Sequence, residues 1–269
     1  MPSRRSFLDR LMKLAAPLPV AAFAPPPREL ARSVWVLDRQ LRFPGGARLP
    51  LRTTIICLSN GALVVVSPPP LIESGGTAAI DSIGVVRQVV APNTFHYVYT
   101  AEFMVRYPEA SLLVSPGLLE RIPELSPAEE LGPSPPEAWR GELDLAVLGP
   151  VRGVSEAVLF HRPTGTLILT DLAFNMTRFA RRFDRIAWRL AGLPDGFGPS
   201  RTARMLLLRD HAEASRCLGR VSEWPIRRIV VAHGEVVEDN AKAQFLKAFA
   251  RYVVTQGARP NGALEQTPA

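Results

Sequence analysis

Short apolar runs rich in β-branched residues recur along this chain from Ser33 onward, and they restrict its possible folds more than any other feature. About nine such runs occur, and amphipathic helical patterns separate several of the later ones. Strands bounded by turn residues and separated by amphipathic helices are typical of sheets whose outer faces are covered by helices. The pattern therefore predicts an α/β or α+β domain.

Two turn signals place neighbouring runs side by side. Asn60-Gly61 separates "RTTIICL" from "ALVVV", and Asn-Gly is a typical turn of a β-hairpin. Pro163-Thr164-Gly165 joins "EAVLFH" to "TLILT" as a second tight turn. The segment "ELSPAEELGPSPPEAW" is dense in proline and acidic residues, and we interpret it as a surface loop rather than a domain linker.

Helical periodicity is clearest in residues 176–191. One face carries apolar side chains and another carries arginines: Phe179, Phe183, Ile186 and Leu190, and Arg178, Arg182, Arg185 and Arg189, respectively. Such a basic stripe could meet phosphates or anionic lipid, but we expect a solvated stripe on a helix packed by its apolar side. The segment "SRTARMLLLRDHAEASRCLGRVSEW" predicts further helix with His211 in its middle, and "DNAKAQFLKAFARYVV" a last helix capped by Asp239 or Asn240.

The bulk composition is that of a folded domain. The chain has 269 residues, 47% of them hydrophobic and 21% charged, which argues against overall disorder. The net charge of +7 permits an anionic partner, but an arginine-rich composition alone accounts for it, so a nucleic acid is disfavoured as partner. No apolar run approaches the roughly 20 residues that a membrane-spanning helix needs. We interpret Cys57 and Cys217 as buried thiols.

The first residues resemble an export signal. Ser3-Arg4-Arg5-Ser6-Phe7-Leu8 resembles a twin-arginine motif, and the small residues of Ala22-Phe23-Ala24 suit a signal peptidase. Residues 1–27 are therefore interpreted as a twin-arginine signal peptide or a disordered tail. The first alternative predicts a periplasmic or extracellular protein, and the second a cytoplasmic one. We expect residues 28–256 to form a single domain and residues 257–269 a disordered tail.

Three of the strongest apolar runs end in residues that commonly bind metal ions. "RQVVAPN" leads into Asn93 and His96, "TLILTD" ends in Asp171, and "RRIVVAHG" ends in His233. Polar groups beyond the carboxyl ends of strands tend to converge on one edge of an α/β fold, so two imidazoles and a carboxylate are expected to meet there. Such a trio suits one divalent metal ion with positions left for water and substrate, although each residue could also serve a purely structural role. Glu156 opens the strand "EAVLF" and is a further candidate for this edge.

The order of these motifs resembles the metallo-β-lactamase superfamily. Its members carry a strand ending in His-x-His-x-Asp-His, a later Gly-His, an apolar strand ending in a metal-bridging aspartate, and a late Gly-His-Gly. His96 matches the last histidine of the first motif, Asp171 the bridging aspartate and His233 the final histidine. The resemblance covers roughly Ser33 to Tyr252. It implies a four-layer αβ/βα sandwich, in which two mixed sheets carry helices on their outer faces.

The metal motif is degenerate in this chain. Where the first motif has its other three ligands, this sequence has Ala91, Asn93 and Phe95, and "GPVRGVSEAV" offers no counterpart of the middle histidine. The superfamily's first metal site therefore lacks all its histidines, whereas the second keeps three of its four ligands. The resemblance implies at most a mononuclear site, with Asn93 as an additional oxygen donor or a neighbouring group. Phrases such as "FHRPTGTLILTDLAFN" resemble a branch of the superfamily described as a domain of unknown function.

Two functions follow from this resemblance. The first is a hydrolase that uses one divalent ion (zinc, or iron or manganese) to activate water against an unknown small-molecule substrate. The alternative is a metal-free scaffold or small-molecule-binding protein in which His96 and Asp171 pair directly. A nucleic-acid function is less consistent with the sequence, because no aromatic residues interleave with the Arg178–Arg189 stripe as base stacking requires.

Overall fold

The computed structural model describes residues 18–20, 25–71, 74–151 and 153–253. In this part of the chain the apolar runs form strands and the amphipathic segments form helices. The strands are β1 (Leu18–Pro19), β2 (Arg28–Ala31), β3 (Val34–Arg42), β4 (Arg48–Cys57), β5 (Ala62–Val66), β6 (Val85–Ala91), β7 (Ser111–Val114), β8 (Glu129–Glu130), β9 (Leu143–Val151), β10 (Val154–His161), β11 (Thr166–Leu169), β12 (Phe174–Asn175), β13 (Phe197–Gly198) and β14 (Arg228–Val231). The α-helices are α1 (Ser74–Asp81), α2 (Thr100–Arg106), α3 (Leu118–Arg121), α4 (Arg182–Ala191), α5 (Arg201–Leu206), α6 (His211–Glu223) and α7 (Ala241–Ala248).

The larger sheet has the order β1-β3-β4-β5-β6-β7-β8, and β2 also pairs with β3. Strands β3, β4 and β5 are antiparallel neighbours, whereas β5 to β8 run parallel. The predicted hairpin across Asn60-Gly61 joins β4 to β5, and Gly61 has the positive φ of 83° that this turn needs. Leu18 and Pro19, within the expected signal or tail, pair with Arg42 and Leu41. The twin-arginine motif and the tail 257–269 lie outside the described residues.

The smaller main sheet has the order β14-β11-β10-β9. Strands β9, β10 and β11 are antiparallel, and β10 meets β11 through the predicted turn at Pro163-Thr164-Gly165. Strand β14 runs parallel to β11, with Leu169 opposite Val231, so the carboxyl ends of these two strands are neighbours. A short ribbon of β12 and β13 stands apart from both main sheets.

The two main sheets face each other across a central core. Buried side chains of both sheets meet there, among them Val64, Val66 and Val90 from the larger sheet and Leu145, Leu159 and Val230 from the smaller. Helices α1, α2 and α3 cover the outer face of the larger sheet, and α5, α6 and α7 cover that of the smaller. The predicted four-layer αβ/βα sandwich is therefore confirmed. No helix in the described ranges is long and apolar enough to span a membrane.

The helix predicted for residues 176–191 is shorter than expected and does not pack by its predicted apolar face, although Arg182, Arg185 and Arg189 are exposed as predicted. It begins only at Arg182, because Asn175 pairs in the β12–β13 ribbon and Arg181 is extended. Its predicted packing face is exposed: Phe183 by 52%, Ile186 by 60% and Leu190 by 75%. The helix instead contacts the protein through Asp184, which is buried.

Two other local predictions are corrected. The segment predicted as one long helical stretch around His211 forms two helices, α5 and α6, and His211 is the first residue of α6 because Asp210 caps it. The proline-rich segment predicted to be a surface loop buries Leu131 and Trp139 against the central core. Burial of these two apolar side chains holds the segment against the sheets.

Candidate metal centre

His96, Asp171 and His233 meet at one edge of the sandwich, as the strand ends predict. Asp171 follows β11 and His233 follows its parallel neighbour β14, whereas His96 comes from beyond β6 in the opposite sheet. The two Nε2 atoms are 3.1 Å apart. His96 Nε2 lies 3.3 Å from Asp171 Oδ2, and His233 Nε2 lies 3.4 Å from Asp171 Oδ1. Among the described residues, this is the one group of three or more His, Cys, Asp or Glu side chains with metal-binding spacing.

The spacing of the three side chains is close to that of a tetrahedral metal site, with the two Asp171 distances measured to different carboxylate oxygens and one ligand atom of each residue within 4.8 Å of the other two. Ligand atoms that stand about 2.0–2.1 Å from a tetrahedral zinc ion lie about 3.3–3.4 Å from one another. Two imidazole nitrogens and one carboxylate also form a donor set that zinc, iron and manganese accept. Three protein ligands leave a coordination position for water or substrate. The three side chains can therefore hold one divalent cation.

The hydrogen bond of His233 fixes which of its ring nitrogens faces the centre. His233 Nδ1 lies 2.6 Å from the backbone oxygen of Pro50, which can only accept, so Nδ1 carries a proton. In the neutral ring the lone pair is then on Nε2 and points toward Asp171 and His96. Metal-binding histidines usually donate their other nitrogen to a carbonyl or carboxylate in this way.

His96 is held by a serine that sequence reasoning missed. Its Nδ1 lies 2.6 Å from Ser67 Oγ at the end of β5. Ser67 has a positive φ of 57°, and its carbonyl oxygen accepts a hydrogen bond from Thr53 Oγ1 at 2.6 Å. The signal was present in the sequence, because "ALVVVS" is a fourth apolar run that ends in a polar residue.

The turn that carries His233 is fixed by β4. Arg52 Nη1 donates to the backbone oxygens of Val231 at 3.2 Å and Gly234 at 2.8 Å, and its Nε donates to Asp38 at 2.7 Å. The ring of Phe174 stacks on that of His233, with centroids 5.1 Å apart. The Arg52 hydrogen bonds therefore fix the backbone of the turn, and the stacked Phe174 ring fixes the plane of the His233 imidazole.

Asn93 contacts the centre through its amide nitrogen. Its Oδ1 accepts hydrogen bonds from the backbone N–H groups of Phe95 and His96, each at 2.8 Å. Its Nδ2 donates to Asp171 Oδ2 at 2.8 Å and to Thr170 Oγ1 at 2.9 Å. The side-chain oxygen is thus directed into the turn that carries His96, and an N–H donor is directed at the carboxylate.

Glu156 lies beneath the turn that carries Asp171. It is fully buried and accepts hydrogen bonds from the backbone N–H groups of Thr170, Asp171 and Leu172 at 2.8–2.9 Å. Burial raises the pKa of Glu156 to about 7, the charge of Asp171 adds to the rise, and hydrogen bonds from Thr170 and Asn93 oppose it. The side chain therefore positions the Thr170–Leu172 turn.

Asp171 is a carboxylate at ordinary pH. Burial by itself would raise its pKa, but the charge of His96 and hydrogen bonds with His233 and His96 outweigh burial and hold the pKa well below its usual range. About 17% of its side chain is exposed, against 5% for His96 and 6% for His233. The centre is thus reached by solvent mainly beside Asp171.

The other two histidines have structural contacts elsewhere. His161 Nδ1 bonds Thr164 Oγ1 at 2.8 Å beside the β10–β11 turn. His211 Nε2 contacts the backbone oxygen of Arg251 at 2.9 Å. The thiol of Cys217 is buried and that of Cys57 partly buried, and neither forms a disulfide.

Several solved metallo-β-lactamase structures and a flavoprotein fragment share the fold of this chain. The DIM-1 metallo-β-lactamase superposes with a TM-score of 0.57 at 12% identity, covering 85% of this chain and 98% of that one. The metallo-β-lactamase FIM-1 from Pseudomonas aeruginosa, in its mono-zinc form, superposes with a TM-score of 0.56 at 12% identity, covering 88% of this chain and 100% of that one. A fragment described as putative diflavin flavoprotein A 5, from Nostoc sp. PCC 7120, superposes with a TM-score of 0.61 at 13% identity. The superposition covers 85% of this chain and 96% of that fragment.

Sequence comparison gives a family but no activity. No curated protein matches the chain in sequence. The family profile described as "Domain of unknown function (DUF4336)" matches residues 31–183, which is more than half of the chain and includes His96 and Asp171. This chain therefore belongs to the DUF4336 family and has the metallo-β-lactamase fold.

Proposed function

We propose that this protein is a mononuclear metal-dependent hydrolase whose single divalent cation is held by His96, Asp171 and His233. The observation that carries the proposal is the convergence of one ligand atom from each of the three side chains, all within 4.8 Å of one another, together with the Pro50 carbonyl that keeps a lone pair on His233 Nε2. A divalent cation there would supply Lewis acidity and bring the pKa of a bound water toward 7. The residues of this chain position the three ligand side chains, and the Pro50 carbonyl accepts the hydrogen bond that orients His233.

Asn93 supports one metal ion rather than two. Its Nδ2–H group points at Asp171 Oδ2 from 2.8 Å, and a second cation at that position would face an N–H donor instead of a lone pair. Glu156 accepts three backbone N–H bonds on the same side, so its oxygens serve the turn and are not directed at a second ion. Asn93 also stands at a position where the superfamily motif has a histidine.

Metal analysis of the purified full chain tests this proposal. We expect about one equivalent of zinc, iron or manganese, and its loss in His96→Ala, Asp171→Ala and His233→Ala. His211→Ala is the matched control, because that histidine contacts Ser215, Arg251 and Tyr252, none of which touches the centre, and the variant should keep the metal. Protein that stays metal-free after incubation with each of the three ions would contradict the proposal.

A metal-free arrangement is the second candidate, and one observation favours it. If Ser67 donates to His96 Nδ1, then His96 Nε2 carries the proton and can donate to His233 Nε2 and Asp171 Oδ2, which stand 3.1 and 3.3 Å away. All three side chains are then satisfied without an ion. A purified protein whose thermal stability responds neither to zinc nor to a chelator would favour this scaffold function.

A further inference from the structure

The outer surface of α4 carries three large apolar side chains that are mostly exposed. Phe183, Ile186 and Leu190 are 52%, 60% and 75% exposed. Successive residues of an α-helix are rotated by about 100°, so these three fall within a sector of about 60°. Single exposed apolar residues are ordinary, but a continuous apolar stripe on one helix usually marks an interaction surface.

The stripe faces outward because the opposite side of α4 is anchored by polar contacts. Asp184 accepts the backbone N–H of Arg48 at 2.9 Å, and Trp188 Nε1 donates to the backbone oxygen of the same residue at 2.6 Å. The ring of Trp188 also packs edge-on against Phe43, with centroids 4.9 Å apart. Turning the apolar stripe inward would break both hydrogen bonds, so its exposure is fixed by the fold.

Positive charge lies directly beside the stripe. Arg182, Arg185 and Arg189 project from the neighbouring sector of the helix, and all three are exposed. Arg189 pairs with Asp195, whereas Arg182 and Arg185 form no ion pair with any residue that the structure describes. The one acidic residue of α4, Asp184, is buried and already paired with Arg181. The exposed surface of α4 is therefore apolar on one side and cationic on the other.

This combination selects one class of partner. A second copy packed isologously on the stripe would bring the arginines of the two chains together, which costs electrostatic energy. A nucleic acid would use the arginines but leave the aliphatic stripe in water. An anionic bilayer surface satisfies both, because apolar side chains enter the acyl boundary while guanidinium groups meet lipid phosphates.

We propose that α4 docks this protein onto anionic lipid membranes, with Phe183, Ile186 and Leu190 inserted and Arg182 and Arg185 on the phosphates. The helix is about 15 Å long at 1.5 Å per residue, so the attachment is peripheral and reversible. The inner side of α4 is connected to the candidate metal centre. The anchor residue Arg48 is two residues from Pro50, whose carbonyl bonds His233, and Trp188 packs against a cluster that includes Phe174, which stacks on His233.

Co-sedimentation of the full chain with vesicles tests the proposal. We expect binding to phosphatidylcholine vesicles that contain phosphatidylglycerol and weak binding to phosphatidylcholine alone. Ile186→Ser and Leu190→Ser should each weaken binding roughly tenfold, because each removes one inserted side chain. The double variant Arg182→Gln/Arg185→Gln should abolish the preference for phosphatidylglycerol. Val105→Ser is the matched control, since Val105 is 83% exposed on α2, a different helix.

Several results would overturn this proposal. Equal sedimentation with both vesicle types, or unchanged binding in the stripe variants, would remove it. A concentration-dependent dimer that Leu190→Ser dissociates would assign the stripe to a second copy. RNA binding lost in the arginine variant without any lipid binding would assign the basic side to a nucleic acid. The metal content of every variant should equal that of the wild type, so failure of docking is distinguishable from failure of the proposed function.

Discussion

At the scale of single residues, Gly234 is the position where the candidate centre tolerates least change. Its φ is +105°, and a Cβ built there would stand 2.1 Å from the backbone oxygen of Asn175. That oxygen also accepts the N–H of Glu235 at 2.9 Å, so it cannot move away freely. Only glycine combines this φ with so close an approach of backbone, and the approach holds the turn that presents His233.

Gly234→Ala should therefore lower both stability and metal affinity. Backbone strain alone is expected to cost about 1–3 kcal/mol, and displacement of the turn moves His233 from its ligand position. Urea unfolding and zinc titration measure the two effects. Gly132→Ala is the control, because a Cβ there meets nothing within 4 Å, and its stability should change by less than about 0.5 kcal/mol. A fully stable, metal-binding Gly234→Ala protein would show that the turn is adjustable.

Ser67→Ala tests the residue that orients His96. Removing the 2.6 Å contact with Nδ1 should weaken zinc binding about 10–100-fold, the usual cost of losing a partner of a metal ligand. Ser82→Ala, which removes a hydroxyl that bonds only the backbone of its own helix end, should bind zinc normally. Equal zinc affinity in the two variants would remove the role assigned to Ser67.

The three candidate ligands could be predicted from the sequence, but most of their partners could not. His96, Asp171 and His233 each follow a strong apolar run, and strand ends converge by a general rule. Pro50 acts through a backbone carbonyl, which every residue has, so nothing in its side chain marks it. Arg52 reaches the turn around His233 from 179 residues away along the chain, a contact that no local pattern contains.

At the scale of elements, α4 shows what helical periodicity leaves open. The alternation of apolar and basic residues predicted a helix, and a helix is present in 182–191, but the pattern does not say which face meets the protein. Two polar contacts decide it, because Asp184 and Trp188 both bond the backbone of Arg48. Turning the apolar face inward would leave the partly buried N–H and C=O groups of Arg48 without these partners, and each lost hydrogen bond costs free energy.

Asp184→Ala should therefore loosen α4 without affecting the metal centre. It leaves the partly buried N–H of Arg48 without its charged acceptor, at a cost of about 1–3 kcal/mol near neutral pH. Burial opposes ionisation of Asp184, but hydrogen bonds from Arg181 and Arg48 outweigh it and lower its pKa. A lowered folded-state pKa stabilises above the unfolded value of about 3.9, and this stabilisation is lost as pH falls below it.

Urea unfolding of wild type and Asp184→Ala from pH 7 down to pH 2 measures this. The stability difference between the two proteins should stay constant down to about pH 4 and shrink below it. A difference that grows on acidification would mean that Asp184 is not stabilised as a carboxylate. Asp195→Ala is the control, since its partner Arg189 is exposed and such surface pairs contribute little.

At the scale of the whole molecule, the candidate centre joins the two sheets. His96 comes from the end of β6 in the larger sheet, and Asp171 and His233 from β11 and β14 in the smaller one. Alternating apolar runs and amphipathic helices predicted sheets covered by helices, because the periodicity of each strand or helix can be read from neighbouring residues in the sequence. Which sheet each strand joins depends on pairings between distant residues, so that part came only from the resemblance and the structure.

A cation bound by ligands from both main sheets should raise the free energy of unfolding of the whole domain. Binding to the folded state alone adds about 2.7 kcal/mol at a free zinc concentration of a hundred times Kd. Thermal unfolding with excess zinc should therefore give a higher Tm than unfolding with a chelator, and the gap should grow with zinc concentration. In Asp171→Asn the gap should close, because the amide lacks the charge that offsets the cation, whereas His161→Ala should keep it, since His161 contacts the β10–β11 turn. A zinc-dependent Tm that persists in Asp171→Asn would mean that the ion binds at another site. A wild-type Tm insensitive to zinc would mean that the two imidazoles and the carboxylate are hydrogen-bonded to one another without a metal ion.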